Sequence, residues 1–235
     1  RKREQANIDL RNKIKELTSL SEVTQRISDT LELNEILNTI VNTITDKDSM
    51  GFESCSIKLL DKKTNSLRIK VSRNLPEEYT GRPPTLVGKG LSGLAAQSQS
   101  SIIIENLADD PRVPKDHILK SIGVRSMCCI PLVSKRSVVG VLNIYSMEFH
   151  IFSEDEMRML SILANQAASA IENAQLFEDI RENYFNTIEA LSMTIDAKDT
   201  FTHGHSKRVS KISEMIGEQM KLDSEQLEML KHAGD

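Results

Sequence analysis

Tryptophan is absent from the 235 residues, and aromatic residues make up only 4% of them. A core must therefore be built from Leu, Ile, Val, Met and Ala. Cysteine is scarce: Cys55, Cys128 and Cys129 are an odd set, two of them adjacent in an apolar run. That argues against a disulfide framework and makes a reducing, cytoplasmic setting the expectation. No apolar run approaches the ~20 residues needed to cross a bilayer, and no signal peptide is visible, so no direct membrane contact is expected of these residues. The chain begins at Arg1 rather than Met and reads as a fragment, which leaves an upstream membrane segment open. A net charge of −4 supplies no general pull toward nucleic acid or an anionic membrane. The basic cluster Arg1-Lys2-Arg3 is followed closely by Glu4 and Asp9 and reads as a solvated helix start.

What is present is enough for a folded chain. Hydrophobic content is 39% and charged content 27%, which fits one sizeable core plus a smaller element, or two small domains. Ile8, Leu10, Ile14, Leu17, Leu20, Val23 and Ile27 recur at gaps suited to one helical stripe. Leu33, Ile36, Leu37, Ile40, Val41 and Ile44 make a second helix that ends before Gly51. The pattern then changes to period two. Cys55, Ile57 and Leu59 alternate with Ser54, Ser56 and Lys58, as in a half-buried strand, and Leu67, Ile69 and Val71 form the return of a hairpin. Residues 74–87, with Pro76, Gly81, Pro83 and Pro84, read as a loop. A short helix opens in 88–96, a short strand is expected at 102–104, and Asp109-Asp110-Pro111-Arg112 reads as another helix start. Two apolar runs, 126–133 and 138–145, make a second hairpin. From Ser153, which forms a capping box with Glu156, a long helix is expected, followed by helical segments at about 204–219 and 223–232.

Several motifs then fall in one order. Val87-Gly88-Lys89-Gly90-Leu91-Ser92-Gly93 is followed by Asn106 and Asp110-Pro111-Arg112, then by Pro131-Leu132 and Gly140-Val141-Leu142. Phe152-Ser153-Glu154-Asp155-Glu156 leads into Leu160, Leu163-Ala164-Asn165-Gln166-Ala167 and Ala170-Ile171-Glu172-Asn173-Ala174. Together they resemble GAF domains over roughly residues 15–180. The resemblance implies an α+β fold: a mixed antiparallel sheet roofed on one side by the first and last helices, with the other side free for a small-molecule ligand. The glycine segment is not a phosphate-cradling nucleotide loop, because no Gly-Lys-Ser/Thr follows it.

A second resemblance begins near Asn186. Ala190-Leu191, Ile195-Asp196-Ala197-Lys198-Asp199, Thr202 and Gly204-His205-Ser206-Lys207-Arg208-Val209 look like the opening of HD-GYP phosphohydrolases, the cyclic di-GMP phosphodiesterase family. It implies a small all-α fragment and a metal-ligand role for His205. Iron or manganese would serve the complete domain, and no cofactor is expected in the GAF part. His203, His232 and Asp235 are further potential ligands, but only about the first quarter of such a domain is present, so this chain alone is expected to be inactive. The organisation is thus an N-terminal helical arm (1–28), a GAF domain (29–180), and a linker helix with the HD-GYP-like fragment (181–235).

The expected function is a sensory module of a bacterial signalling protein, acting as a homodimer through its N- and C-terminal helices and controlling the phosphohydrolase. Candidate pocket residues are Cys55, Ile57, Ser92, Ile104, Arg112, Met127, Cys129 and Asn143. Two other readings stay open. One is a purely structural dimerisation module with no ligand. The other is a cysteine-based redox enzyme in which Cys55 and Cys128 approach each other.

Overall fold

The computed structural model describes residues 27, 30, 32–47, 49–114, 117–135, 137–198, 205–222 and 226–227, with side chains over the same spans except at 189, 192–198 and 205–207. The expected N-terminal arm lies outside the described residues apart from Ile27, which is helical and fully buried. His203, His232 and Asp235 lie outside them as well. The chain divides into two units, Arg1–Gln175 and Leu176–Asp235.

The first unit opens with α1 (Leu33–Thr45). Its Ile36, Leu37, Ile40, Val41 and Ile44 recur at three- and four-residue steps, and all are buried. There follow β1 (Ser54–Asp61), β2 (Ser66–Arg73), α2 (Glu77–Thr80), β3 (Thr85–Leu86) and α3 (Gly90–Ser98). The chain continues through β4 (Ile102–Ile104), α4 (Ile118–Ser121), β5 (Ser126–Ser134), β6 (Ser137–Ser146) and α5 (Glu154–Lys198). The strands form one sheet in the order β3-β2-β1-β6-β5-β4, antiparallel at every pairing. The capping box is present at the start of α5. Ser153 N–H donates to Glu156 Oε2 at 2.7 Å, and Glu156 N–H donates to Ser153 Oγ at 3.2 Å.

Two apolar layers sandwich this sheet. On one face, α1 and the first half of α5 bury Ile40, Ile44, Leu160, Leu163, Ala167 and Ile171 against Cys55, Ile57, Leu59, Cys128, Ile130, Leu142 and Ile144. On the other, Tyr79, Leu91, Ala95, Leu107, Val113 and Leu119 cover Leu67, Met127, Cys129, Val141 and Tyr145. The expectation that this second face is left free is therefore corrected. Ser54, Ser56 and Lys58, read as the polar side of a half-buried strand, are 1%, 0% and 7% exposed. β1 is buried on both sides.

Two local expectations also change. Residues 74–87 are not only loop: they hold α2 and the two-residue edge strand β3. No helix starts at Asp109–Arg112. The Asp110 carboxylate accepts the backbone N–H of Arg112 at 2.8 Å and grips its guanidinium, closing a turn in place of a cap. Among the described residues no helix is long and apolar enough to cross a membrane. The second unit holds α5 from Leu176 onward and α6 (His205–Gln219).

Candidate functional site

Strand register builds the site. Ser56 of β1, Asn143 of β6 and Cys129 of β5 lie side by side across three strands, on the face away from α1 and α5. A chain of hydrogen bonds runs over them. Ser92 Oγ of α3 donates to Asn143 Oδ1 at 2.9 Å, and Asn143 Nδ2 donates to Ser56 Oγ at 3.4 Å. Ser56 Oγ meets the Tyr145 hydroxyl at 2.9 Å, and that hydroxyl meets Tyr79 OH of α2, also at 2.9 Å. The two tyrosine rings pack edge to face. A buried polar group is tolerated only when hydrogen-bonded, and here each partner satisfies the next. Gly93 lets α3 sit directly against the edge strand β3, because a Cβ there would collide with the Leu86 carbonyl oxygen. Burial raises the hydroxyl pKa of both tyrosines, Tyr79 to about 12 and Tyr145 well above its ordinary value. Tyr145→Phe leaves the buried Tyr79 hydroxyl without its partner and takes one of two from Ser56, so it is expected to cost about 1–3 kcal/mol, read as a lower urea midpoint at unchanged m-value.

Beside this network the second layer parts. A cleft of ≈ 310 Å³ is lined by Lys58, Ile69, Tyr79, Arg82, Thr85 and His117, among others. A shallower cleft of ≈ 480 Å³ shares Arg82 and His117 and adds Glu78, Pro114 and Ile118. The Lys58 ammonium sits at the inner end and donates to Thr85 Oγ1 at 3.2 Å. Burial pulls its pKa below the usual lysine range, and the Arg82 guanidinium acts in the same direction. His117 Nδ1 accepts the backbone N–H of Leu119 at 3.2 Å, which caps α4 and places the proton of the neutral ring on Nε2.

The residues expected at a pocket divide three ways. Ser92, Ile104, Met127, Cys129 and Asn143 share the cleft-side layer, but as its packed floor. Cys55 and Ile57 belong to the opposite core, under α1 and α5, because strand alternation sends odd positions of β1 to that face. They are corrected out of the pocket. Arg112 is held by Asp110 through two short contacts, at 2.9 and 2.6 Å, and also reaches the Ile103 carbonyl. That pairing holds the Asp110 carboxyl below its usual range and raises the guanidinium. Lys58, Tyr79, Arg82, Thr85 and His117, which line the cleft, were not among the expected residues. A proline-rich connection of this length was the available signal, since binding groups concentrate on such loops. The side chain of His205, the expected metal ligand, lies outside the described residues. Among those described, no group of three or more His, Cys, Asp or Glu is placed to hold a metal ion.

The family model for the GAF domain matches residues 30–172. The chain belongs to the GAF domain family. The phosphoenolpyruvate-dependent phosphotransferase system protein of Escherichia coli is 30% identical over 164 residues, covering 68% of this chain and 21% of that protein. The formate hydrogenlyase transcriptional activator of Salmonella typhimurium is 22% identical over 163 residues, covering 67% of this chain and 23% of the activator. The chain thus spans under a quarter of these relatives. The crystal structure of the GAF domain from an Acinetobacter phosphoenolpyruvate-protein phosphotransferase superposes with a TM-score of 0.60 at 26% identity, over 70% of this chain and 97% of that one. The GAF domain here is a sensory domain of the kind carried by signalling proteins.

The GAF domain's cysteines do not form a redox pair. Cys55 and Cys128 both register with Ile144, so strand β6 stands between them, while Cys129 faces the other way. All three are free and buried. Burial pushes the Cys55 and Cys129 thiols up to about 12 and raises Cys128 as well, the reverse of what a nucleophilic thiolate needs.

Proposed function

We propose that this GAF domain binds a small regulatory molecule in the cleft over β1 and β2, and that α5 carries the resulting change to an output domain. One observation carries the reading. β1 has the cleft on one side, at Lys58, and the α1–α5 core on the other, at Ile57 and Leu59. A change of strand position on one face must therefore be felt on the other, because packed layers shift between discrete arrangements. Such coupling requires a ligand with different affinity for the two arrangements.

Two further parts of the proposal concern the second unit. Phe177, Ile180, Tyr184 and Leu191 of α5 are exposed, at steps of three, four and seven residues. That seam suits a parallel helical pair, so the protein acts as a homodimer through this helix. The likeness of residues 186–235 to HD-GYP proteins supports a cyclic di-GMP phosphodiesterase as the output. α6 exposes Val209, Ile212 and Ile216, which a further domain would cover. Iron or manganese would be held there with His205 among the ligands, and no turnover of cyclic di-GMP is expected from these residues alone.

Native mass spectrometry tests the reading. The expected result is a dimer carrying a bound small molecule, with Ile180→Glu giving a monomer that keeps it. A chain that is ligand-free as purified, and that no metabolite extract stabilises against heat, would refute the sensory role.

A further inference from the structure

Resting on the sensory reading above, we infer the chemistry of the ligand: the cleft takes the oxyanion of a small metabolite, a carboxylate or a phosphate, on the Lys58 ammonium, with Arg82 and His117 at its mouth.

Lys58 is the reason. It is only 7% exposed, and lysine is almost never that buried without a paired charge. Its ammonium has three donors, and Thr85 Oγ1 accepts one. None of the ion pairs among the described residues includes it. The group that would offset its charge, the Cys129 thiolate, is absent at neutral pH because that thiol is pushed up to about 12. A second cation, Arg82, lines the same cleft and raises the cost further. Two positive groups around a concave space, with no carboxylate among the described residues of its wall, describe an anion site.

The backbone is shaped for this purpose. The β1–β2 register shifts between Ile57 and Lys58, leaving Lys70 as an extra residue in β2. Leu67 and Ile69 therefore face the cleft layer, whereas Val71, of the same parity, packs toward α1 and α5. Bulges of this kind re-aim side chains at functional positions. Leu67, Ile69, Tyr79 and Pro83 give the cavity apolar walls, so the ligand has a short carbon body as well as its charge. At ≈ 310 Å³ the space holds the volume of about ten waters. Glu78 lines the outer cleft beside Arg82 and His117 and places a negative group at the rim, which disfavours a polyanion.

The test uses protein carrying ¹³C at the lysine ε position, titrated at constant ionic strength in chloride. The probes are benzoate, inorganic phosphate and benzamide, the last a neutral copy of benzoate's shape. Benzoate or phosphate is expected to move the Lys58 signal saturably, and the stronger of the two identifies the source of the oxyanion. Benzamide is expected to bind at least about tenfold more weakly than benzoate, the worth of a charge-assisted hydrogen bond. Lys58→Met should abolish the stabilisation against heat that the anion confers. Arg82→Gln, at an exposed position that leaves folding intact, should weaken binding severalfold. Equal affinity for benzamide and benzoate would overturn the anion assignment while leaving a sensory cleft in place. A Lys58 signal that neither anion moves overturns it too, and a neutral molecule found bound in the native mass spectrum would do so without touching the sensory role.

Discussion

Gly140→Val is expected to lower the folding free energy of the GAF domain by about 3 kcal/mol or more, a fall in Tm of about 6–12 °C. Gly140 lies on β6 between Leu59 of β1 and Leu132 of β5. A Cβ there would strike the Lys58 carbonyl oxygen and crowd Leu59 Cδ2. The carbonyl is backbone inside a ladder and cannot rotate away, so the strands themselves must part. Gly140→Ala should show most of the loss, since the first carbon makes the collision, whereas overpacking against a flexible side chain would grow with size. Thermal unfolding followed by circular dichroism checks both. A Tm within about 1 °C of the parent for the valine variant would mean that β1 and β6 separate without cost.

Leu163→Ala is expected to cost about 3–4 kcal/mol, in the range for a fully buried leucine whose surroundings cannot collapse. Leu163 is 0% exposed on the face of α5 that meets the sheet. The neighbouring small residues Ala164, Ala167 and Ala168 bring the helix close, so little is left to fill the void. This substitution also separates binding from transmission. Leu163 belongs to the core opposite the cleft, so ligand affinity should stay within about twofold while coupling between the cleft and α5 weakens. Urea unfolding measures the first effect. Titration of the same variant with benzoate, beside a spin label on the exposed end of α5, measures the second. A large loss of affinity with intact folding would place the ligand on the helix side and contradict the arrangement described here.

How far the sequence could be read depended on whether the signal was local. α1 and α5 were legible because their apolar steps and the Ser153–Glu156 cap are written within a few residues of each other. The hairpins were legible because alternation and turn residues are local too. Alternation separates Cys55 and Ile57 from Ser56 and Lys58, yet it does not say which set lies under the helices; only the packing of α1 and α5 puts Cys55 and Ile57 there. Nor does a lysine among serines announce burial: Lys58 looks solvent-facing until α2, β3 and α4 are folded over it. The cleft joins position 58 to 79–85 and 117, three segments with no periodic relation, and the bulge opposite Lys58 leaves no mark in composition. At Asp110, a residue type that caps helices instead ties down Arg112, and only the arginine's position decides between those outcomes.

The burial of all three thiols on two different faces gives the molecule an internal pair of gauges. An alkylating reagent reaches Cys55 or Cys128 only when the layer under α1 and α5 opens, and reaches Cys129 only when the layer over the cleft does. Their rates of modification in the unaltered chain therefore time the loosening of each half separately, without any introduced probe. A molecule seated against Lys58 would slow the Cys129 reaction directly, and would slow the other two only as far as its presence steadies the distant layer.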